Sequence, residues 1–437
     1  MNLVTVVGGG LAGLLTAAEL LRRGVEDVSV LEAADRPGGV ARGTVRSGHR
    51  LEPAVSTFRL PHPRLEALLD SIGVSATPAL DASTTRHLFT RGRRLTVRPG
   101  PGVLTTPVVG LRAKLAALAE PWRRSTIGHD PSLEEFLVAR FGAGLGRIAA
   151  WVAAAGVYAG DPDQLSARAA FPALTGLVDK SGSILRGWWR SRGPRRHTAV
   201  PVGGISALID AVAGALGDRL VTSCSVEAVE ATSDGWVVHG AERVRTRHLV
   251  LATPSHETRR ILRADWEPTP RAPVAVIFLA GPAGSLPVPP GFGCLVDPAE
   301  GMATVGVVFE TNLDPSRAPA GRQLVKVIAG GAHRPEVAEW DDDRLVARVG
   351  DEVARIVGAD VGADLVEVFR IVPGIPQYVR SHLRRLEELG RHLEGPTPIQ
   401  VTGWDYRGVG VADLAWDAAR VADATTLSAS SPTQSPG

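Results

Sequence analysis

Residues 3–13 read LVTVVGGGLAG and run directly into LLTAAELLRRG, residues 14–24. The first five are apolar and rich in valine, which suits a buried parallel strand. The second piece is rich in leucine and alanine, apolar along one side and stopped by Gly24, which predicts a helix. Between them Gly8 allows a tight turn, Gly10 allows the backbone to approach a pyrophosphate, and Gly13 allows the helix to lie close to the sheet. Leu11 and Ala12 open the helix, whose free N–H groups and positive dipole end suit phosphate. A second strand, VSVLE, ends at Glu32, nineteen residues past Gly13. A carboxylate there accepts from a ribose diol and repels a 2′-phosphate. Strand, glycines, helix, strand and acid in this order predict a dinucleotide site.

Composition limits what such a site can belong to. A chain of 437 residues with a net charge of +2 is too long for one small domain and too evenly charged for a dedicated nucleic-acid binder. Lysine occurs only at Lys114, Lys180 and Lys326 among 48 basic residues, a bias that reflects codon usage rather than function. Cys224 and Cys294 stand far apart, outside any CxxC and away from clustered histidines; they read as buried fillers, with no disulfide framework and no metal site. A reducing cytoplasm fits. The first residues lack the pattern of a signal peptide, and no uninterrupted apolar run is long enough to span a membrane.

The next motif narrows the nucleotide. EAADRPGG, residues 32–39, places Arg36, Gly38 and Gly39 just past the ribose-binding acid. It resembles the ExxxRxGG extension of FAD-dependent amine oxidases, phytoene desaturases and protoporphyrinogen oxidases, in which the segment lies along the pyrophosphate. FAD is therefore the expected cofactor.

Further along, PRLEALLDSIGV predicts a helix and RHLFTRGRRLTV a hairpin turning at Arg91-Gly92. Residues from about 100 to 200 are helical by apolar spacing. The stretch from 200 to 262 reads as helix, strands and a strand ending in the small-residue turn LATP; from 263 to 395 strands alternate with a helix; IQVTGWDYRGVGVADLAWDAARVAD closes as strand, glycine turn and helix. The expected fold is α/β, with a discontinuous Rossmann-like FAD-binding domain (1–80, 200–262 and 396–425), a hairpin and helical lobe (81–199), a mixed-sheet substrate lobe (263–395) and a disordered tail (426–437).

At residues 154–174, AAGVYAGDPDQLSARAAFPAL, the sequence resembles a specific group, the oxygen-dependent protoporphyrinogen and coproporphyrinogen oxidases. VGGISALIDAVAGALG, PGIPQYVRSHLRRLEEL and YRGVGVAD are similar to further segments of that family, in the same order. The resemblance implies oxidation of a porphyrinogen to a porphyrin in heme biosynthesis, with electrons passed through FAD to O2 and H2O2 released. The tetrapyrrole's nitrogen lone pairs make it a good hydride donor, so no catalytic base is required of the protein. Residue by residue, the resemblance places Gly8, Gly10, Gly13, Glu32, Arg36, Gly38 and Gly39 on the ADP half, Val226 on adenine, and Ala252 and Pro254 beside the dinucleotide. It sets Arg86 against a substrate propionate and Gly156, Tyr158 and Gly160 around the tetrapyrrole. It brings Gly403, Trp404, Gly408, Gly410, Val411 and Asp413 to the flavin end, with Asp413 capping the closing helix or bonding the ribityl chain.

Departures stand beside the matches. Ala54 and Val55 replace the family's Gly-Pro, Trp404 stands where the family keeps a small polar residue, and Leu414 replaces a cysteine. They leave open a diverged amine oxidase or desaturase, or an inactive paralogue. SILRGWWRSRGPRRH, residues 183–197, sets two tryptophans among five arginines, which suits peripheral contact with a membrane as well as it suits a solvated basic loop.

Overall fold

The computed structural model describes residues 2–80, 84–97, 109–123, 128–191, 196–395 and 397–429. The glycine motif sits where its chemistry predicts. Strand Asn2–Val7 leads through Gly8 into helix Leu11–Arg22, and pairs in parallel with Val28–Leu31 on one side and Arg243–Leu251 on the other. Four further strands complete this seven-stranded sheet: Leu220–Val221 at one edge, Gln400–Val401 beside Arg243–Leu251, and the antiparallel pair Val226–Thr232 and Gly235–Gly240. Three distant stretches of chain thus meet in one sheet. Helices Leu11–Arg22, Pro63–Ser71, Gly204–Leu216 and Val411–Ala429 pack a common apolar core with it.

A second sheet of seven strands runs Leu365–Pro376, Arg271–Pro282, Arg322–Gly330, Thr304–Phe309, Gly293–Val296, Arg86–Thr90, Arg93–Val97. The hairpin Arg86–Val97 belongs to this sheet and not to the helical lobe with which the sequence groups it. Its first strand pairs in parallel with Gly293–Val296, bringing His87 opposite Cys294. No local signal announces a partner some two hundred residues away. Helix Asp342–Val357 covers this sheet's core. The closing helix runs to Ala429, into the stretch expected to be disordered; residues 430–437 lie outside the described residues.

The helical lobe is built on Leu133–Tyr158, capped by reciprocal bonds of Ser132 and Glu135 and bent at Gly142, whose φ is +79°. By length and composition this helix alone among the described residues could cross a membrane, and a third of its most apolar stretch is buried. It passes despite the charged Arg140 and Arg147, which interrupt the apolar run. Arg140 is fully buried and donates to Glu120 from Nε at 2.8 Å and Nη2 at 2.5 Å.

What joins the two sheets is a buried cluster of charges. Arg317 is fully buried; its Nη1 lies 2.6 Å from Glu52 and 3.0 Å from Glu310. Lys326 Nζ is 2.8 Å from the other Glu310 oxygen, which also accepts from Ser56 Oγ at 2.8 Å. Glu52 accepts in addition from the Ile205 backbone N–H at 2.5 Å, at the N-terminus of helix Gly204–Leu216. Gly204, at φ +81°, leaves room for that carboxylate: a Cβ there would fall 2.3 Å from Glu52 Oε1. Burial alone would raise the Glu310 carboxyl, but Lys326 and Arg317 outweigh it and hold the group ionised below its ordinary range.

Removing one partner of such a cluster strands the others without water. Arg317→Met is expected to cost about 3–5 kcal/mol, read from urea or guanidinium unfolding of the variant against the parent; a loss under about 1 kcal/mol would mean the cluster does not hold the sheets together.

Candidate functional site

A cleft of about 340 Å³ opens at the carboxyl ends of the parallel strands of the first sheet. Gly8, at φ +105°, turns the chain out of the first strand. A Cβ on Gly13 would fall 1.9 Å from the Gly8 carbonyl oxygen, so only glycine lets the helix start this close to the strand. A Cβ on Gly10, by contrast, would meet nothing within 4 Å, because Gly10 faces the cleft. Glu32 accepts from Gly9 N at 2.6 Å and from Ala34 N at 2.8 Å, and lines the cleft beside Gly38 and Gly39. Leu11, Ala12, Val226, Ala252, Pro254, Gly403 and Trp404 line it too. Six of the residues expected at the cofactor do not: Gly13 and Arg36, and, from the closing turn, Gly408, Gly410, Val411 and Asp413. Gly13 serves packing, and Arg36 is exposed and outside the lining.

The turn between Gln400–Val401 and helix Val411–Ala429 is held from several directions. Asp405 accepts from Ser255 N at 2.7 Å and from Arg271 Nη1 at 2.5 Å. Tyr406 is buried with its hydroxyl 2.7 Å from Thr258 Oγ1 and 3.1 Å from the Thr253 carbonyl. Tyr378 Oη donates to the Trp404 carbonyl at 2.6 Å and accepts from Gly408 N at 2.7 Å. His382 stacks on Tyr378 at 4.0 Å and donates from Nε2 to the Tyr406 carbonyl at 3.0 Å. Burial holds the His382 imidazole neutral, with its pKa down to about 4. Asp413 turns back on the turn and accepts from Gly410 N at 3.0 Å; burial raises its carboxyl. Gly408 leaves room for that carboxylate, since a Cβ there would lie 2.5 Å from Asp413 Cβ. Neither Gly408 nor Asp413 lines this cleft or the larger cavity beyond the turn, whereas Gly410 and Val411 line the latter. Leu414 is buried in the first core, away from both cavities.

A larger cavity of about 770 Å³ lies between the helical lobe and the second sheet. Leu145, Ile148, Val152 and Gly156 face it from the long helix, and Val305, Val307 and Ile328 from the sheet; Ala54, Val55, Val409 and Gly410 line it as well. The Gly403–Val411 turn therefore contributes to both cavities. Polar groups are few. Arg86 lies over the Phe292 ring at 4.0 Å, and burial, then the charge of Arg59, pushes its pKa down to about 10. Both His87 ring nitrogens are engaged, by the Pro290 carbonyl at 2.9 Å and Thr96 Oγ1 at 3.3 Å. Burial pushes the Cys294 thiol up to about 12, which rules out a thiolate nucleophile at neutral pH. Lys326 brings its buried ion pair to the wall. No carboxylate stands among the residues that line this cavity.

Tyr158 and Gly160 stand behind the wall rather than in it. Tyr158 is buried, its hydroxyl donating to the Ala170 carbonyl at 3.0 Å, and Gly160 makes room for Gln377, whose Oε1 a Cβ would meet at 2.6 Å. Lys326, the Glu52–Arg317 pair, the Asp405–Arg271 pair and the Tyr378–His382 stack escape a sequence reading. Asp405 sits inside the glycine turn, and Tyr378 and His382 inside the segment PGIPQYVRSHLRRLEEL, but neither segment tells which contacts these side chains make.

The small cleft fits FAD. Its floor is backbone that a side chain would fill, its ribose-side acid keeps lone pairs to offer, and the buried indole N–H of Trp404 has no acceptor among the described residues. The comparisons agree. The family model of flavin containing amine oxidoreductases matches residues 11–373. The chloroplastic protoporphyrinogen oxidase of Oryza sativa subsp. japonica is 30% identical over 87% of this chain and 80% of its own. The coproporphyrinogen III oxidase of Mycobacterium bovis is 28% identical over 93% of each. A crystal structure from Exiguobacterium sp. 255-15, provisionally a protoporphyrinogen oxidase, superposes with a TM-score of 0.83 at 19% identity over 98% of this chain and 99% of that one, which shows the fold. The chain belongs to the flavin containing amine oxidoreductase family and is an FAD-dependent oxidoreductase.

Gly10→Leu is expected to fold and purify colourless, because its side chain enters the cleft, whereas Gly13→Val should unfold the strand–helix unit itself; flavin absorbance and far-UV circular dichroism separate the two, and a yellow Gly10→Leu protein would contradict the placement. The unfolded chain protonates a histidine near pH 6.5, while folded His382 stays neutral to about pH 4. Its folded pKa is the lower one, so its contribution is present above pH ~6.5 and is lost as pH falls toward ~4. His382→Gln should therefore lose about 2–3 kcal/mol less than the parent over that range; parallel slopes would show that His382 is not held neutral.

Proposed function

We propose that this chain oxidises a porphyrinogen, coproporphyrinogen III or protoporphyrinogen IX, to the porphyrin, with O2 as electron acceptor and H2O2 as product. One observation carries the reading: an apolar cavity of about 770 Å³ shares the Gly403–Val411 turn with the cofactor cleft and holds the guanidinium of Arg86. A tetrapyrrole needs a broad apolar slot with a cation for its carboxylates, and that is what the lining offers.

Bound FAD supplies a two-electron acceptor. The residues orient and insulate. Val152 and Ile148 on one side and Val305 and Ile328 on the other bind the macrocycle and exclude water. Arg86 pairs with a propionate, and Phe292 beneath it keeps the guanidinium aimed. Each round takes a hydride from a meso carbon and a proton from a pyrrole nitrogen; delivered to O2, these make one H2O2. His87 has both nitrogens engaged and no carboxylate is among the described residues that line the cavity, so none of these side chains is set to act as a base. The substrate's own nitrogens drive the hydride out. Arg86 and Lys326 also make the cavity a poor host for a protonated amine, which disfavours an amine oxidase.

Arg86→Ala is expected to raise KM for the porphyrinogen about 10- to 100-fold, as the loss of a charge-assisted bond would, with flavin content unchanged. Porphyrin fluorescence in aerobic assays of both substrates reads this out. Turnover of neither substrate by the yellow parent protein would overturn the proposal.

A further inference from the structure

Arg86 and Lys326, on the sheet side of the large cavity, stand in one row of the sheet. Lys326 pairs with Val308 and Val308 with Gly293, and the pairing of His87 with Cys294 sets Arg86 level with Gly293. All four residues of the row line the cavity. Residues level with one another in a sheet point to the same face, and three strand steps of about 4.8 Å put the two backbones about 14 Å apart. The next row, from Leu88 to Ile328, carries no charge. The long helix opposite offers the cavity only aliphatic side chains and glycine.

The two ends of the row are not equivalent. The Lys326 ammonium has three N–H groups. They go to Glu310 Oε1 at 2.8 Å, the Glu52 carbonyl at 3.2 Å and Ser56 Oγ. With the Glu310 carboxylate behind it, that end is balanced in charge and has no donor to spare for a ligand. The Arg86 end is positive. Thr57 lines the cavity, and two residues further on Arg59 is exposed and donates to the Arg196 carbonyl at 2.8 Å. Burial first, and then the charge of Arg59, lower the Arg86 pKa, so the two cations are close. Among the described residues, a ligand's carboxylates therefore find their cations at one end of the cavity alone.

We propose that the cavity selects by how charge is distributed round the macrocycle: it takes a porphyrinogen whose carboxylates lie on one edge, with that edge at Arg86 and the uncharged edge at Ile328, and discriminates against one with a carboxylate on every pyrrole. This rests on the porphyrinogen reading and narrows it to the dicarboxylate. The two propionates of protoporphyrinogen IX lie on neighbouring pyrroles, and its other edge carries methyl and vinyl groups. Coproporphyrinogen III carries a propionate on each pyrrole. Whichever edge it turns to Arg86, two more carboxylates are driven toward aliphatic walls, where an ion without a partner is costly. Ile328 is thus a specificity-determining residue, through the charge it does not carry.

Two ratios measured on the FAD-loaded protein test this. The value of kcat/KM should be at least about 100-fold higher with protoporphyrinogen IX than with coproporphyrinogen III, as expected where carboxylates enter a cavity without partners. Deuteroporphyrin IX, with two propionates on one edge, should quench the protein's tryptophan fluorescence with a Kd at least about 10-fold below that of coproporphyrin III, for the same reason. Ile328→Lys places a cation at the uncharged end and should shrink both ratios. If that variant loses its flavin, the ratios of the parent decide. Equal or better use of coproporphyrinogen III, equal binding of the two porphyrins, or binding of neither would overturn the proposal. Oxidation of neither porphyrinogen, with the two porphyrins still sorted, would refute the oxidation reading and support the arrangement of charge.

Discussion

Burial raises the Glu52 carboxyl above its ordinary range while Arg317 pulls against that rise, and Arg317 cannot be buried without Glu52 and Glu310. That mutual requirement fixes the architecture. Glu52 belongs to the nucleotide-binding part and caps helix Gly204–Leu216; Arg317, Glu310 and Lys326 belong to the second sheet and its connections. Residues 53–57 leave Glu52 and become the wall of the large cavity. The cluster therefore sets how the cofactor cleft and the cavity meet. It is a costly device, since an apolar contact of the same volume would be as stable. What it adds is register: two acids and two cations pair in one arrangement.

The far end of the cofactor cleft depends on a different device. The glycine turn near the end of the chain has no strength of its own. It is held by Tyr378 on its carbonyl and N–H groups, by His382 behind Tyr378, and by the Asp405–Arg271 pair. Tyr378, His382 and Arg271 all come from the second sheet or the segment that follows it, so the cofactor end is complete only when both halves of the molecule have folded. A turn assembled in this way presents Trp404 to the cleft and Gly410 to the cavity with little freedom to move.

Much of the nucleotide half is legible in the sequence because local rules write it. A valine strand, Gly8, Gly10, Gly13 and Glu32 are tied to one another within about 30 residues, and each answers to backbone sterics or one hydrogen bond. The cavity is less legible. Nothing near Lys326 announces that it faces Glu310, and nothing near Arg86 that its strand joins Gly293–Val296; both follow from pairing across long loops. Tyr158 stands in a distinctive run, GVYAGD, but helix geometry turns its side chain into the core while Gly156 meets the cavity. The departures at Ala54 and Val55 fall on the cavity wall and that at Trp404 on the cofactor cleft, whereas that at Leu414 is buried in the first core, away from both.

Flavin chemistry in the large cavity is the centre of this account, and anaerobic rapid mixing addresses it directly. The FAD-loaded protein, mixed without oxygen with coproporphyrinogen III or with protoporphyrinogen IX, should lose its visible flavin absorbance in a phase whose rate saturates with the porphyrinogen, and recover it when O2 is admitted. Flavin that stays oxidised with both porphyrinogens, in a protein that is still bleached by dithionite, would contradict it.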